Sequence, residues 1–269
     1  MRNVVLYDAY NLIYRARHAL PRHMQDSEWG ITYAFFRSLA ALNRELNPDI
    51  AYFVTEGKPV QRLELLPEYK GTRAKDKHEG FQRQRRETIR VVEQYFPVTV
   101  VNHPEHECDD IISHLAHKHS QLGDKVTVVS TDTDFLQLAN SIDGYLQYNP
   151  IKKEYRDLPT HDYVAWKALV GDGSDNIEGF RGIGNKRALG MLENPQKLEA
   201  FLSQNNNREK FELNKKLISF IDVSDSENVI TFSNDTADWD SVRSFFADKN
   251  FKSVLSEKGW NNFVNAFGG

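Results

Sequence analysis

The sequence of 269 residues predicts an α/β fold, in which helices flank a mostly parallel central sheet. The first observation is a set of short, apolar, β-branched segments that have the composition of buried strands. These segments are NVVLY (3–7), IAYFV (50–54), VTVV (98–101) and KVTVVS (125–130). The second observation is that helical patterns alternate with them, which is typical of a parallel sheet.

Helical periodicity is found at about 31–46, about 81–95 and about 106–119, in each case between two predicted strands. Beyond about residue 160 the strand pattern fades and helical patterns continue to the C-terminus. The segment SQNNNRE (203–209) is predicted to be a polar loop. The stretch 56–80 has no clear period, and a loop of that length inside a compact domain is usually functional.

The composition is that of an ordinary globular protein, with 40% hydrophobic and 27% charged residues. Neither a signal peptide nor an apolar run of membrane-spanning length is recognisable, so we expect a cytoplasmic protein. The single cysteine, Cys108, excludes an internal disulfide. The net charge of −4 argues mildly against nucleic-acid binding, but the stretch 58–90 is locally basic.

Acidic residues follow three of the predicted strands. Asp8 follows the first, Glu56 follows the second, and Asp132 and Asp134 follow the fourth. Ligands of open parallel sheets bind outside the carboxyl ends of the strands. We therefore expect these carboxylates to lie close together at one edge of the sheet.

Five further acids are expected near the same edge. Glu107, Asp109 and Asp110 lie at the start of a predicted helix, and Asp172 and Asp175 follow a helix at about 160–170. Nine clustered carboxylates would repel one another, and bound cations would remove that conflict. Oxygen ligands without histidine favour Mg²⁺ or Mn²⁺, and this number of acids could hold two ions. The alternative interpretation is that each acid is only a helix cap or a turn residue.

The glycine-rich segment GFRGIGNKR (179–187) follows the last two acids. It is not a Walker loop, because Asn185 follows Gly184, and Arg187 occupies the third glycine position of a dinucleotide fingerprint. It fits a helix–hairpin–helix turn instead. Gly182 and Gly184 would let the backbone approach a phosphate, while Lys186 and Arg187 would add positive charge.

Six motifs between Asp8 and about residue 220 occur in the order that is typical of structure-specific 5′-nucleases. They are LYDAYN, LPEYKGTR, EHECDD, VVSTDTDF, VGDGSDNI and GFRGIGNKRA. The chain thus resembles the family of flap endonucleases, phage 5′-exonucleases and the 5′-nuclease domain of bacterial DNA polymerase I. The resemblance is strongest to the freestanding phage and bacterial type, and the last 50 residues carry no such motif.

The resemblance implies a PIN-like sheet, a helical arch at about 56–90 and a helix–three-turn–helix region at about 171–205. It implies a single nuclease unit over 1–269, with a catalytic core at 1–160 and a mainly helical region at 161–269. The implied reaction is hydrolysis of DNA phosphodiesters at 5′ flaps or 5′ ends with two metal ions. The implied setting is DNA replication or repair, as a monomer in a bacterial or phage-infected cytoplasm, with a DNA polymerase or other replication proteins as candidate partners.

The resemblance also assigns roles to individual residues. It places the first metal among Asp8, Glu56, Glu107, Asp109 and Asp110, and the second near Asp132, Asp134, Asp172 and Asp175. It places Lys70 and Arg73 at the scissile phosphate and makes Tyr69 available to stack on a base. The resemblance implies DNA contacts for Gly182, Gly184, Lys186, Arg187, Lys75 and Lys77. It also makes a potassium ion, bound by the hairpin carbonyls, a candidate cofactor. Glu56 stands where the family usually has Asp, which leaves the first-metal geometry open.

Three alternative functions remain at this point. A haloacid-dehalogenase-like phosphatase also uses aspartates at strand ends, but its motif requires Thr or Val where Leu136 lies. A PIN-type ribonuclease is usually shorter and lacks the hairpin and the basic stretch. A DNA-structure-binding protein without activity would not need the complete set of acids.

Overall fold

The computed structural model describes residues 1–20, 27–73 and 78–268. Lys75 and Lys77, two of the implied DNA contacts, lie outside the described residues. The described chain contains a seven-stranded sheet in the order β6-β5-β4-β1-β2-β3-β9. Its strands are β1 (Asn3–Asp8), β2 (Ile50–Val54), β3 (Thr99–Asn102), β4 (Lys125–Val129), β5 (Leu146–Asn149), β6 (Glu154–Tyr155) and β9 (Thr231–Phe232).

The five central strands, β5-β4-β1-β2-β3, are parallel, and the two edge strands are antiparallel to their neighbours. A small antiparallel pair, β7 (Gly171–Asp172) and β8 (Ile177–Glu178), forms a separate sheet. The predicted α/β class with a mostly parallel sheet is therefore confirmed.

Twelve α-helices are found in the described ranges. In the first half of the chain they are α1 (Ala9–His18), α2 (Gly30–Leu46), α3 (Val60–Leu65), α4 (Glu79–Tyr95) and α5 (Cys108–Gln121). The others are α6 (Tyr163–Val170), α7 (Asn185–Leu192), α8 (Pro195–Leu202), α9 (Asn207–Ile218), α10 (Trp239–Asp248), α11 (Lys252–Leu255) and α12 (Glu257–Val264). None of these helices is both long enough and apolar enough to cross a membrane.

The central sheet is buried on both faces, as its β-branched strands predict. Along β1, Val5 and Tyr7 pack into one core cluster, whereas Val4 and Leu6 pack into another on the opposite face. Helices α1, α2, α4 and α10–α12 contribute to the first cluster, and α5 contributes to the second. The strands are thus held rigidly, which fixes the positions of the side chains at their carboxyl ends.

The last part of the chain returns to the sheet instead of extending the helical region. Strand β9 pairs with β3, and Phe246 on α10 is fully buried, with its ring centroid 5.2 Å from that of Phe36 on α2. Helices α6–α9 surround a third core cluster of their own. The predicted helical region at 161–269 therefore consists of two parts, and only α6–α9 form the region that contains the hairpin.

Several elements differ from the sequence-based prediction. Helix α1 and strands β5 and β6 were not predicted, and α9 begins inside the predicted polar loop, at Asn207. Among its described residues, the stretch assigned to the arch contains α3, a turn and most of α4. Helix α4 packs on the body of the protein, because Phe81 contacts Tyr14 with ring centroids 4.8 Å apart.

Candidate active site

Six of the nine predicted acidic ligands line one cavity of about 770 Å³ at the carboxyl edge of the sheet. Asp8 ends β1, Glu56 follows β2, and Asp132 follows β4. The other three acids in the cavity wall are Asp109, Asp134 and Asp175. The sequence-based expectation that separate strand ends would bring acids together is confirmed.

The acids form two groups, each of which could hold a metal ion. The ligand atoms of Asp8, Cys108 and Asp109 lie within 4.8 Å of one another. The carboxylates of Asp134, Asp172 and Asp175 form the second group with the same spacing. The carboxylates of each group are ones that the resemblance assigned to the same metal. The first group also contains the Cys108 thiol.

Burial and mutual repulsion destabilise the charged forms of the first group. Burial raises the pKa of Asp8 to about 7, although Asn11 and Ser130 donate hydrogen bonds to its carboxylate, and the charges of Glu56 and Asp132 add to the shift. Burial, followed by the charges of Asp132 and Asp8, also holds the pKa of Asp109 well above its usual range. A bound divalent cation would relieve this repulsion, so the carboxylates of this group fit a hard cation, whereas the Cys108 thiol is not a donor that such a cation prefers.

The second group already contains a positive charge, Lys167 of α6. Its ammonium lies 2.6 Å from Asp172 Oδ2 and also pairs with Asp134. Burial raises the pKa of Asp134 to about 6, with a contribution from Asp132, and Lys167 opposes this shift. The pKa of Asp172 is lowered to about 2, because hydrogen bonds from Lys167 and Ser174 outweigh the effect of burial.

Glu107 and Asp110 do not face the cavity, so the structure does not support their assignment to the first metal. Glu107 caps the N-terminus of α5 in a reciprocal capping box with Asp110. Arg62 donates to both carboxylate oxygens of Asp110, at 2.7 and 2.8 Å, and to Glu107 Oε2 at 2.8 Å. Lys70 pairs with the other oxygen of Glu107. Both acids are therefore already neutralised by protein cations.

Tyr69 is not available to stack on a base, which corrects the implied role. Its side chain is buried, and its hydroxyl lies 3.0 Å from both Glu107 Oε2 and Asp175 Oδ2. The phenol packs with the core of the α6–α9 region. Tyr69 thus links α5 to the second acidic group.

Lys70 and Arg73 line the cavity beside the acids. The Lys70 ammonium pairs with Glu107 and lies 3.9 Å from Asp175, whose carboxylate also pairs with Arg73. Burial lowers the pKa of Lys70, but the charges of Glu107 and Asp175 outweigh it and the net shift is upward. Lys70 is therefore a fixed positive charge beside the acids.

One wall of the cavity was missed by the sequence analysis. Tyr10, Tyr14 and His18 lie four residues apart on α1, and together with Arg15 they line the cavity. The Arg85 guanidinium lies 4.9 Å from the centroid of the Tyr10 ring. The cavity thus combines an acidic floor with an aromatic and basic wall.

The loop that carries Glu56 is fixed by backbone hydrogen bonds. Gly57 N donates to the His106 carbonyl at 3.0 Å, and Lys58 N donates to the Pro104 carbonyl at 2.9 Å. A Cβ atom added at Gly57 would overlap the carbonyl oxygens of His103 and His106. Glycine is required here by close backbone packing.

We expect Gly57→Ala to lower the free energy of unfolding by about 1–3 kcal/mol, because the two loops would have to separate. Urea denaturation monitored by circular dichroism measures this change. Gly173→Ala is the matched control, since an added Cβ there meets no atom within 4 Å. Equal free energies of unfolding for the two variants would show that the Gly57 loop can separate from the loop of His103 and His106 without loss of stability.

The hairpin before α7 has the features expected of a phosphate-binding turn. Gly182 adopts a positive φ of 76°, which favours glycine, and Gly184 precedes the first residue of α7. Lys186 and Arg187 lie in the first turn of α7 and are exposed. Their exposed positive charges adjoin the free N–H groups of the helix terminus.

Comparison with known proteins matches most of the chain to two family models. Residues 3–164 match the 5′-3′ exonuclease N-terminal resolvase-like domain. Residues 158–241 match the 5′-3′ exonuclease C-terminal SAM fold.

Among curated proteins, a 5′-3′ exonuclease of Aquifex aeolicus is 30% identical over 229 residues, which cover 79% of this chain and 75% of that protein. DNA polymerase I of Chloroflexus aurantiacus is 31% identical over 219 residues, which cover 75% of this chain. The chain spans only 23% of that polymerase, and 33% of the thermostable DNA polymerase I of Thermus filiformis.

Among solved structures, the D15 protein of phage T5 co-crystallised with metal ions has a TM-score of 0.65 at 23% identity, covering 81% of this chain and 88% of that one. The catalytic core of Rad2 in complex with DNA substrate has a TM-score of 0.59 at 17% identity, covering 99% and 93%. At these identities the two structures establish a common fold.

Proposed function

Because this chain belongs to the 5′-3′ exonuclease family, we propose that it is a metal-dependent 5′-nuclease that hydrolyses DNA phosphodiesters at 5′ flaps or 5′ ends. The observation that carries the proposal is the cavity itself. It brings six carboxylates from separate parts of the chain together with Lys70 and Arg73. An acidic floor that would repel a phosphate becomes a phosphodiester site only when cations are bound.

We propose two divalent cations, Mg²⁺ or Mn²⁺, as cofactors. Asp8, Glu56 and Asp109 would hold the first cation, and Asp132 with the group of Asp134, Asp172 and Asp175 would hold the second. When bound, such a pair activates water and stabilises the charge that develops on the phosphate. The carboxylates whose pKa values are raised, mainly by burial and further by the charges of neighbouring acids, supply the driving force for binding cations.

The residues of the chain would orient the substrate around these cations. Lys70 and Arg73 lie at the rim of the acids, where their charges would attract the phosphate and stabilise its negative charge in the transition state. Lys167 would balance the charge of Asp134 and Asp172 before a cation arrives. Glu107 and Asp110 would contribute through Arg62 and Lys70.

DNA would be held on both sides of the cavity. The wall of Tyr10, Tyr14 and Arg15 suits an unpaired strand, because aromatic rings stack on bases of any sequence and cations contact the backbone. The hairpin with Lys186 and Arg187 suits duplex backbone. The T5 and Rad2 structures with DNA support a DNA substrate for this chain. The polymerase I relatives support a role in replication or repair beside a DNA polymerase.

A cleavage assay on a 5′-flap DNA tests this proposal. The protein should release the flap in Mg²⁺ or Mn²⁺ and should be inactive in EDTA. A flap of the same sequence in RNA and the chromogenic substrate p-nitrophenyl phosphate test the ribonuclease and phosphatase alternatives. Absence of DNA cleavage with either metal, in a protein shown to be folded, would contradict the proposal.

Lys186→Ala is expected to weaken duplex binding several-fold for all sequences alike, because the hairpin would contact phosphates and not bases. The slope of log affinity against log salt should decrease by about one unit, as expected for one lost phosphate contact. Fluorescence anisotropy in Ca²⁺ measures both quantities. Lys125→Ala, at the exposed N-terminal end of β4, is the matched control. An unchanged salt slope for Lys186→Ala would show that the hairpin does not contact the DNA.

A further inference from the structure

Arg62 occupies a buried junction between three segments of the chain, with only 3% of its surface exposed. Its two terminal nitrogens donate to Asp110 and Glu107 as described for the site. Its Nε donates to the Leu217 carbonyl, and Nη2 also donates to the Ser219 carbonyl, both at 3.0 Å. All five N–H groups of the guanidinium can thus be used.

Two of the three segments joined by Arg62 carry residues of the proposed site, and the third is the end of α9. Arg62 lies on α3, just before the turn that carries Lys70 and Arg73. Its carboxylate partners flank Asp109 at the start of α5, and its carbonyl partners lie at the end of α9. The carbonyls at the end of a helix lack intrahelical partners, so Arg62 satisfies groups that would otherwise be unpaired.

We propose that Arg62 is a positioning residue for the cation site, an inference that rests on the function proposed above. Arg62 fixes the first turn of α5 through Glu107 and Asp110, and this turn points Asp109 into the cavity. It holds the second group as well, because Glu107 contacts the Tyr69 hydroxyl, which in turn contacts Asp175. Arg62 thereby couples the position of α9 to the geometry of both acidic groups.

The arrangement requires an arginine. A lysine has three donors on one nitrogen and cannot reach two carboxylates and two carbonyls in a planar fork. Without the guanidinium, buried Asp110 would lose its main countercharge, and buried Glu107 would keep only its pair with Lys70. The first turn of α5 would then move or admit water, and Asp109 would move with it.

The test is the Mn²⁺ affinity of Arg62→Lys without DNA, measured by electron paramagnetic resonance. We expect binding to weaken by about 10-fold or more, as for other residues that orient metal ligands. In single-turnover cleavage, the maximal rate should fall more than the affinity for DNA in Ca²⁺. Phe246→Leu is the matched control, because Phe246 belongs to a fully buried ring cluster and does not line the cavity, so the substitution should lower stability and leave Mn²⁺ affinity unchanged.

A double-mutant cycle with Asp110→Asn separates positioning from direct ligation. If Asp110 acts through Arg62, the Mn²⁺ affinity of the double variant should be no lower than that of the single variant with the lower affinity. If the two losses of Mn²⁺ binding free energy add instead, Asp110 is an independent ligand and the inference is overturned. Wild-type Mn²⁺ affinity in both Arg62→Lys and Asp110→Asn would overturn the inference while leaving the nuclease proposal intact. Absence of Mn²⁺ binding by the wild-type protein would contradict both the role proposed for Arg62 and the metal-dependent nuclease proposal.

Discussion

Asp132→Asn is expected to lower the rate of DNA cleavage by about 10³-fold or more while leaving DNA binding in Ca²⁺ nearly unchanged. Asp132 lines the cavity together with members of both acidic groups. Its charge contributes to the raised pKa values of Asp8 and Asp109 in the first group and of Asp134 in the second. A neutral amide at this position would weaken the attraction of both groups for cations.

The same substitution should not destabilise the protein in EDTA, because it removes a negative charge that repels buried neighbours. It should, however, reduce the increase in melting temperature that Mg²⁺ produces in the wild-type protein. Thermal denaturation with and without Mg²⁺ distinguishes loss of cation binding from loss of fold. Asp143→Asn is the matched control, since Asp143 is exposed and outside the cavity. If Asp132→Asn cut flaps at a rate near that of Asp143→Asn, the two-cation proposal would fail.

The strand-end acids could be predicted from sequence because two local signals suffice for them. β-branched, apolar runs identified the strands, and parallel strands place the residues that follow them at one edge. Asp8, Glu56 and Asp132 required nothing more. The same reasoning identified the fold class, since it depends on the alternation of strands and helices and not on detailed packing.

The positions of Glu107, Asp110 and Tyr69 could not be predicted, because they depend on a partner that is distant in sequence. Arg62 lies 45 residues before Glu107 and 48 before Asp110. Nothing in the motif EHECDD distinguishes an acid that faces a cavity from one that faces a buried arginine. The position of Tyr69 also depends on residues that are distant in sequence, because Tyr69 is buried by contact with the α6–α9 core.

Two missed features did leave a signal in the sequence. In α1, the buried residues Ala9, Leu12, Ile13 and Ala16 follow the helical spacing, and this spacing is the signal. The helix is harder to recognise because it begins directly after a strand, with no intervening turn. Lys167 is the single charge in the apolar helix YVAWKALV. A lone lysine in such a helix indicates a buried ion pair, because an unpaired charge is rarely buried.

Lys70→Ala is expected to lower the single-turnover cleavage rate by about 10²–10³-fold, the effect of removing one group that stabilises charge in a transition state. Lys70 is held firmly for this role. Its backbone N–H donates to the Asp175 carbonyl at 3.0 Å, and its ammonium pairs with Glu107 in the cavity wall. The charge therefore stays beside the acids instead of sampling solvent.

The fold should survive this substitution, because Glu107 keeps its hydrogen bonds to Arg62 and Tyr69. Single-turnover cleavage with saturating enzyme isolates the chemical step from binding, and anisotropy in Ca²⁺ measures DNA affinity separately. Lys125→Ala is again the matched control and should equal the wild type in both measurements. The alternative interpretation is that Lys70 only neutralises Glu107. In that case the cleavage rate would stay within a few-fold of the wild-type rate and only the melting temperature would fall, and Lys70 would have no part in the reaction.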